Sequence, residues 1–193
     1  MQICKIILAS QSKQRFNIFK SLAIPFDVVP ADIDEQSIKS DDLQKRAEKI
    51  ARAKAEFVSE KYPNAIIIAA DTYVILNGQV LEKPKNAAEA KEMLRKQSAQ
   101  TMTEVTGFAY IDNQNKINYS TVVATKVKFR KLSKREIDNY VNNEPVLTWS
   151  AAFCPAYDSG AALIEWIEGS LTGFTHGLPM EEVVKMLKKS EIL

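Results

Sequence analysis

Apolar residues come in short bursts along this chain, and their spacing separates strands from helices. Ile6, Ile7, Leu8 and Ala9 form a run short enough for a buried strand, and over residues 14–23 Phe16, Phe19, Leu22 and Ala23 recur like one face of a helix. A second strand is expected over 26–30 (FDVVP), followed by a polar, acidic loop over 31–42. The longest helix is expected over 42–62, where Leu43, Ala47, Ile50, Ala51, Lys54, Phe57 and Val58 keep helical spacing. Residues 64–76 (NAIIIAADTYVIL) read as a buried strand that Asp71 and Thr72 break, with an Asn77-Gly78 turn and the arm 79–84 behind it. Asn86 with Glu89, and Ser133 with Glu136, have the spacing of capping boxes for helices over 87–99 and 134–143. Between these helices, 102–112 and 117–132 alternate like two strands paired around a turn at Asp112 to Lys116. A strand over 162–169 and a helix over 179–189, with Pro179 near its start and bases at its end, complete the pattern. The central hairpin interrupts strict strand–helix alternation, so the expected fold class is α/β, a mixed β-sheet flanked by helices.

At 193 residues the chain is long enough for one domain with a substantial core. Its 26 basic and 24 acidic residues are interspersed, and a net charge of +2 argues against a surface that coats nucleic acid. Two cysteines, Cys4 and Cys154, lie far apart, and His176 is the single histidine. Zinc sites, disulfide scaffolds and histidine-based triads are therefore poorly supplied. The first apolar run is too short for a membrane span and no cleavage site follows it, so a soluble, reduced, cytoplasmic protein with no membrane partner is expected.

Polar residues gather where the strands end, the usual place for ligands in α/β proteins. ILASQSKQRF carries an apolar strand into a helix N-terminus, where free amides and the macrodipole favour an anion, and Ser10, Ser12, Lys13 and Arg15 add side-chain donors. A phosphate fits such a turn; a capping serine beside solvated Lys13 and Arg15 is the plainer alternative. Asp34 and Glu35 follow the second strand, and Asp71 stands in an oily strand where a carboxylate is costly unless it is paired or holds a cation. Lys54 on the long helix and Lys83 in LEKP supply further charge. Two carboxylates among several cations and hydroxyls suit a Mg2+ or Mn2+ ion bridging protein oxygens to phosphate oxygens. No GxxxxGK[ST] loop is present, and Asp71 lacks the DxDxT setting of an aspartyl-phosphate enzyme.

The order and spacing of LASQSKQRF, PFDVVPADIDE, KIARAKA, AADTYVILNGQVLEKP, EAKEMLRKQS, TEVTGFAYI, TKVKFRKLSKREIDNYV, IEGS and GLPMEEVVKML resemble the Maf family over nearly the whole chain. The resemblance implies one domain over 1–193 with an elongated, ITPase-like α/β fold, a central mixed sheet and a cleft between two lobes. It implies a nucleoside triphosphate pyrophosphatase that needs a divalent cation, cuts between the α and β phosphates and forms a homodimer. Similar proteins were first named as inhibitors of septum formation, so a nucleotide-binding regulator of division with little turnover is the rival reading.

By the same resemblance Asp71 matches the proton acceptor and Glu35 the acid that helps hold the metal. Lys54 and Lys83 match two lysines near the phosphates, and Ser10 and Arg15 match the serine and second arginine of the opening motif. Lys13 stands where the family has proline and Gln14 where it has the first arginine. Thr72 matches the threonine of the branch resembling dTTP and UTP hydrolases; the branch acting on 7-methyl-GTP carries glutamine there. The segment SAAFCPAYDSGAA departs from the pyrimidine branch's AGAYGIQGLGA, and Tyr157, counted back from IEGS, stands opposite its glutamine, whereas counting forward from Phe153 gives Ala156. A noncanonical or pyrimidine triphosphate is the expected substrate, with activity on dTTP and UTP but weak preference over CTP and modified triphosphates; a 7-methyl-GTP-type pyrophosphatase is the alternative.

Overall fold

The computed structural model describes residues 5–156 and 158–193. Its element order is β1 (Ile6–Leu8), α1 (Lys13–Lys20), β2 (Asp27–Val28), α2 (Leu43–Lys61), β3 (Ile66–Leu76), β4 (Gln79–Leu81), α3 (Ala87–Gln97), β5 (Thr101–Asp112) and β6 (Ile117–Phe129). Then follow α4 (Lys134–Asn143), two short 3-10 turns over 146–152, α5 (Asp158–Ala161), β7 (Ile164–Glu168), α6 (Leu171–His176) and α7 (Met180–Lys189). The seven strands form one mixed sheet in the order β2-β1-β3-β5-β6-β7, with β4 paired to β3. β1 runs parallel to β2 and β3, and the remaining pairs are antiparallel.

The long hairpin is the sheet's spine. β3 pairs with β5 from Ile66 to Ile75, and β5 pairs with β6 along its whole length. The strand is not broken at Asp71, contrary to the expectation: Asp71 sits opposite Gly107 and Thr72 opposite Thr106 in an uninterrupted ladder. Other expectations shift at the edges. β2 shrinks to two exposed residues, and α1 begins one residue early, with Ser12 as its N-cap, and stops before Ala23, whose φ is +55°. Ser133 and Glu136 form the full capping box, whereas Asn86 caps Glu89 N–H but the Glu89 carboxylate turns to Lys85 N–H. The helix α6, capped by the Ser170 hydroxyl on Gly173 N–H, had no counterpart in the sequence pattern.

α2 lies across one face of the sheet because the residues between them are small. Ala51, Ala55 and Val58 of the helix bury against Ile7, Ala9, Ala69 and Ala109 of the strands. At Gly107 the contact is backbone to backbone: a Cβ there would stand 2.1 Å from the Ala47 carbonyl oxygen. Two helical turns beyond Ala47 comes Lys54, so this close approach sets how far the lysine reaches over β3. Gly107→Ala is expected to push α2 off the sheet, destabilising the protein by about 1–3 kcal/mol in urea titration and lowering activity with it. Unchanged stability would mean that the helix is free to slide. The other sheet face packs on α1 and α7 through Leu8, Phe19, Ile68, Phe108, Val183 and Leu187.

Candidate active site

Along one edge β3 is paired throughout, but along the other it meets β1 only at Ile66–Ile68 and β4 only at Val74–Leu76. Residues 69–73 between them have an open edge, and a cleft of about 1270 Å3 opens there. The turn from β1 to α1, the loop after β2, α2, the arm after β4 and the stretches 145–155 and 174–177 supply its walls. Side chains alternate across a strand, so Asp71 and Thr72 point to opposite faces; both line the cleft because it cuts through the sheet at its gap. Six cationic side chains line it against four carboxyls, a balance that suits an anionic ligand.

On the α2 face, Lys54 Nζ donates to Asp71 Oδ1 at 2.8 Å and to Glu35 Oε1 at 2.9 Å. Lys54 and Asp71 are each 8 % exposed, so this pair is largely withdrawn from water, whereas the Glu35 side chain keeps 48 % of its exposure. Glu35 stands on a loop tied to α2: Arg46 donates Nε–H to the Ile38 carbonyl at 3.0 Å and Nη2–H to the Glu35 carbonyl at 3.4 Å. Asp34 points its carboxylate into its own turn, accepting from Gln36 N–H. Asp71 Oδ2 has no hydrogen-bond partner among the described residues and is available to the cleft. Lys83, on the exposed arm after β4, also lines the cleft and has no ion-pair partner among the described residues.

The donor set bears on the expected divalent cation. Glu35 and Asp71 aim one oxygen each at a single point, which the Lys54 ammonium holds. Among the described residues no group of three or more His, Cys, Asp or Glu could cage an ion. With Lys54 at that point, the oxygens left for a magnesium-type ion are Asp71 Oδ2 and Glu35 Oε2, a set that would fit only an ion drawing its other ligands from phosphates and water.

Across the sheet, Arg15 is committed to the protein. Its Nε–H reaches the Gly177 carbonyl at 2.8 Å, Nη1–H the Ser10 hydroxyl at 3.1 Å and Nη2–H the Thr72 hydroxyl at 3.0 Å. The geometry makes Arg15 a tie between α1, β3 and the end of α6, and leaves one N–H on each of Nη1 and Nη2 without a partner among the described residues at the cleft wall. Gly177 suits this tie, with φ +64° and so little room that a Cβ would lie 2.8 Å from the Thr72 hydroxyl. Ser12 serves as the helix cap, accepting from Arg15 N–H, while Lys13 is exposed at the cleft's rim. Gln14 reaches the Cys154 sulfur at 3.9 Å. Tyr157, the other expected specificity position, lies outside the described residues, as does Cys4.

Two residues behind or on the cleft wall went unnoticed in the sequence, the buried Thr106 and the cleft-lining Glu104. Thr106 Oγ1 stands 3.1 Å from Thr72 Oγ1 and donates to the Gly173 carbonyl at 3.2 Å. Glu104, two residues back and so on the same face, is 6 % exposed and lines the cleft. Burial pushes its carboxyl well above the usual carboxylate range, against the smaller opposing pull of Arg15. Its position in phase with Met102 and Phe108, both buried, was the signal that could have found it.

This mixed sheet flanked by helices is an α/β fold shared with solved Ham1 proteins. The chain superposes on a Ham1 protein from Coxiella burnetii and on the Staphylococcus aureus Ham1 protein with a TM-score of 0.53 in each case, covering 96–97 % of this chain and 99 % of theirs. Identities of 14 % and 15 % make that a likeness of fold. The sequence places it more narrowly: the model of the Maf-like protein family matches residues 5–190, and the chain belongs to that family. It is 37 % identical over 189 residues to the dTTP/UTP pyrophosphatase of Citrifermentans bemidjiense, spanning 97 % of this chain and 96 % of that protein. It is 38 % identical over 186 residues to the dTTP/UTP pyrophosphatase of Pyrococcus furiosus, spanning 95 % and 94 %.

Proposed function

We propose that this chain hydrolyses nucleoside triphosphates to the monophosphate and pyrophosphate, with dTTP and UTP among its substrates and a divalent cation as cofactor. The convergence of Glu35, Lys54 and Asp71 at the open edge of β3 carries the reading, and kinship with dTTP/UTP pyrophosphatases supports it. Asp71 accepts a proton from the attacking water through Oδ2, while its other oxygen stays held by Lys54. That bond keeps the carboxylate oriented beside an anionic substrate. Lys83, unpaired at the rim, and Lys13 meet the phosphate chain as it enters and offset its charge. Glu35 and Asp71 would hold the cation, which supplies charge neutralisation at the phosphate oxygens when bound. Arg15 acts indirectly, holding Ser10, Thr72 and the Gly177 turn in place.

The test is product analysis on dTTP, UTP, CTP and 7-methyl-GTP, each with and without Mg2+ or Mn2+. Pyrophosphate and nucleoside monophosphate are expected from the pyrimidine triphosphates, only with the cation present, and with CTP less strongly rejected than in a site that reads its base through a glutamine. Release of orthophosphate instead would refute the bond assignment. A strong preference for 7-methyl-GTP would overturn the pyrimidine assignment that rests on Thr72.

A further inference from the structure

Glu104 takes no part in the mechanism above, yet it is the most withdrawn carboxyl on the cleft wall. A buried carboxyl is ordinarily matched by a hydrogen-bond donor, because leaving it unmatched is costly. None is present among the described residues. The nearby Arg15 guanidinium gives one N–H each from Nε, Nη1 and Nη2 to Gly177, Ser10 and Thr72, and makes no hydrogen bond to Glu104 with the two that remain. The neighbouring Gln14 amide is turned to the Cys154 sulfur. The Glu104 carboxyl lines the cleft together with Trp149, Phe153 and Cys154, which offer apolar surface to a flat ring.

Position along the ladder separates this wall from the reacting end. Glu104 pairs with Val74 and shares a face with Thr106 and Thr72, whereas Asp71 points to the opposite face with Lys54. A nucleotide whose phosphates lie at Asp71 would thread the gap in the sheet and leave its base on the Glu104 side.

Resting on the function proposed above, we propose that Glu104 reads the hydrogen-bonding edge of a pyrimidine base. An un-ionised carboxyl offers one donor and one acceptor side by side. It matches the N3–H and C4 carbonyl of uracil or thymine and, with its proton on the other oxygen, the N3 and C4 amino group of cytosine. Guanine's N1–H and C6 carbonyl present the same donor and acceptor as uracil, so the carboxyl alone does not exclude a purine, and the choice of a pyrimidine comes from the function proposed above. One residue thus accounts for weak discrimination among pyrimidines.

The experiment is calorimetric binding of uridine, cytidine and guanosine monophosphates, N3-methyluridine monophosphate and inorganic tripolyphosphate to the wild-type, Glu104→Gln and Glu104→Leu proteins. Blocking N3 is expected to weaken wild-type binding about tenfold, the order expected for two buried hydrogen bonds. Glu104→Leu should weaken uridine and cytidine monophosphate by a similar factor while leaving N3-methyluridine monophosphate and tripolyphosphate unchanged. Glu104→Gln, which keeps one donor and one acceptor, should bind uridine and cytidine monophosphate within about threefold of wild type. An equal loss for the blocked and unblocked nucleotides, or a larger loss for guanosine monophosphate, would overturn the proposal. So would wild-type protein indifferent to N3 methylation, a result that needs no variant. Because binding is read without turnover, a protein that binds in this pattern but cleaves no triphosphate would sink the proposed activity and leave the role of Glu104 standing.

Discussion

Asp71→Asn is expected to lower turnover of UTP by about 100-fold or more, the usual contribution of a positioned general base, while much of the nucleotide affinity remains. The substitution keeps the shape of the side chain and an oxygen for Lys54, so the open edge of β3 and the cleft walls stay as they are. What disappears is the carboxylate's ability to accept a proton and one of the two negative charges at the Lys54 ammonium. Steady-state kinetics on a variant whose thermal unfolding matches wild type decides the matter. Near-normal turnover would remove Asp71 from the chemistry and leave it as a structural partner of Lys54.

Lys54→Met addresses the same cluster from the cationic side, and its largest effect is on stability. The substitution takes from a buried Asp71 the cation in contact with it, and losing one partner of a buried ion pair typically costs about 3–5 kcal/mol. The half-exposed Glu35 contributes little to this loss, because water can solvate it once the lysine is gone. About 3 kcal/mol of destabilisation at neutral pH is therefore expected in urea titration. Adding Asp71→Asn to Lys54→Met should recover part of it, since the stranded charge is then gone. A double variant no more stable than Lys54→Met alone would place the cost in lost packing of the lysine stem instead.

The strands and helices that sequence reading anticipated are those whose pattern is written locally. α2 announces itself by its apolar stripe, the β5–β6 hairpin by alternation, and α4 by Ser133 and Glu136. Asp71 misled because a carboxylate in an oily strand looks like a break; the partner that makes it tolerable, Lys54, is 17 residues away on a helix. α6 was missed for a different reason: six residues with a glycine among them carry too little periodicity, and its ends are held by Ser170 and by the Arg15 contact to Gly177. The turn at 150–152, with Ala151 and Ala152 both at positive φ, has no local signature, because Gln97 on α3 secures the Ala151 carbonyl from far along the chain. Within the site, residues of the turn and loops were found by type and spacing. Their division between two faces of the sheet was not, since it depends on where β1 stops and β4 begins.

The contact between α2 and the sheet at Gly107, Ala51 and Ala55 has a bearing on how this protein can change over generations. Most cores can trade one apolar residue for another of similar bulk and drift without harm. Here the residues are already at or near the minimum size, so every enlargement moves the helix that carries Lys54. Tolerance to mutation should consequently be lowest along this seam and high on the solvent side of the same helix, where Glu56 and Glu60 are exposed. Adaptation to a new base has an easier route through the Glu104 wall, where a substitution alters what is recognised without shifting the helix that serves the phosphates.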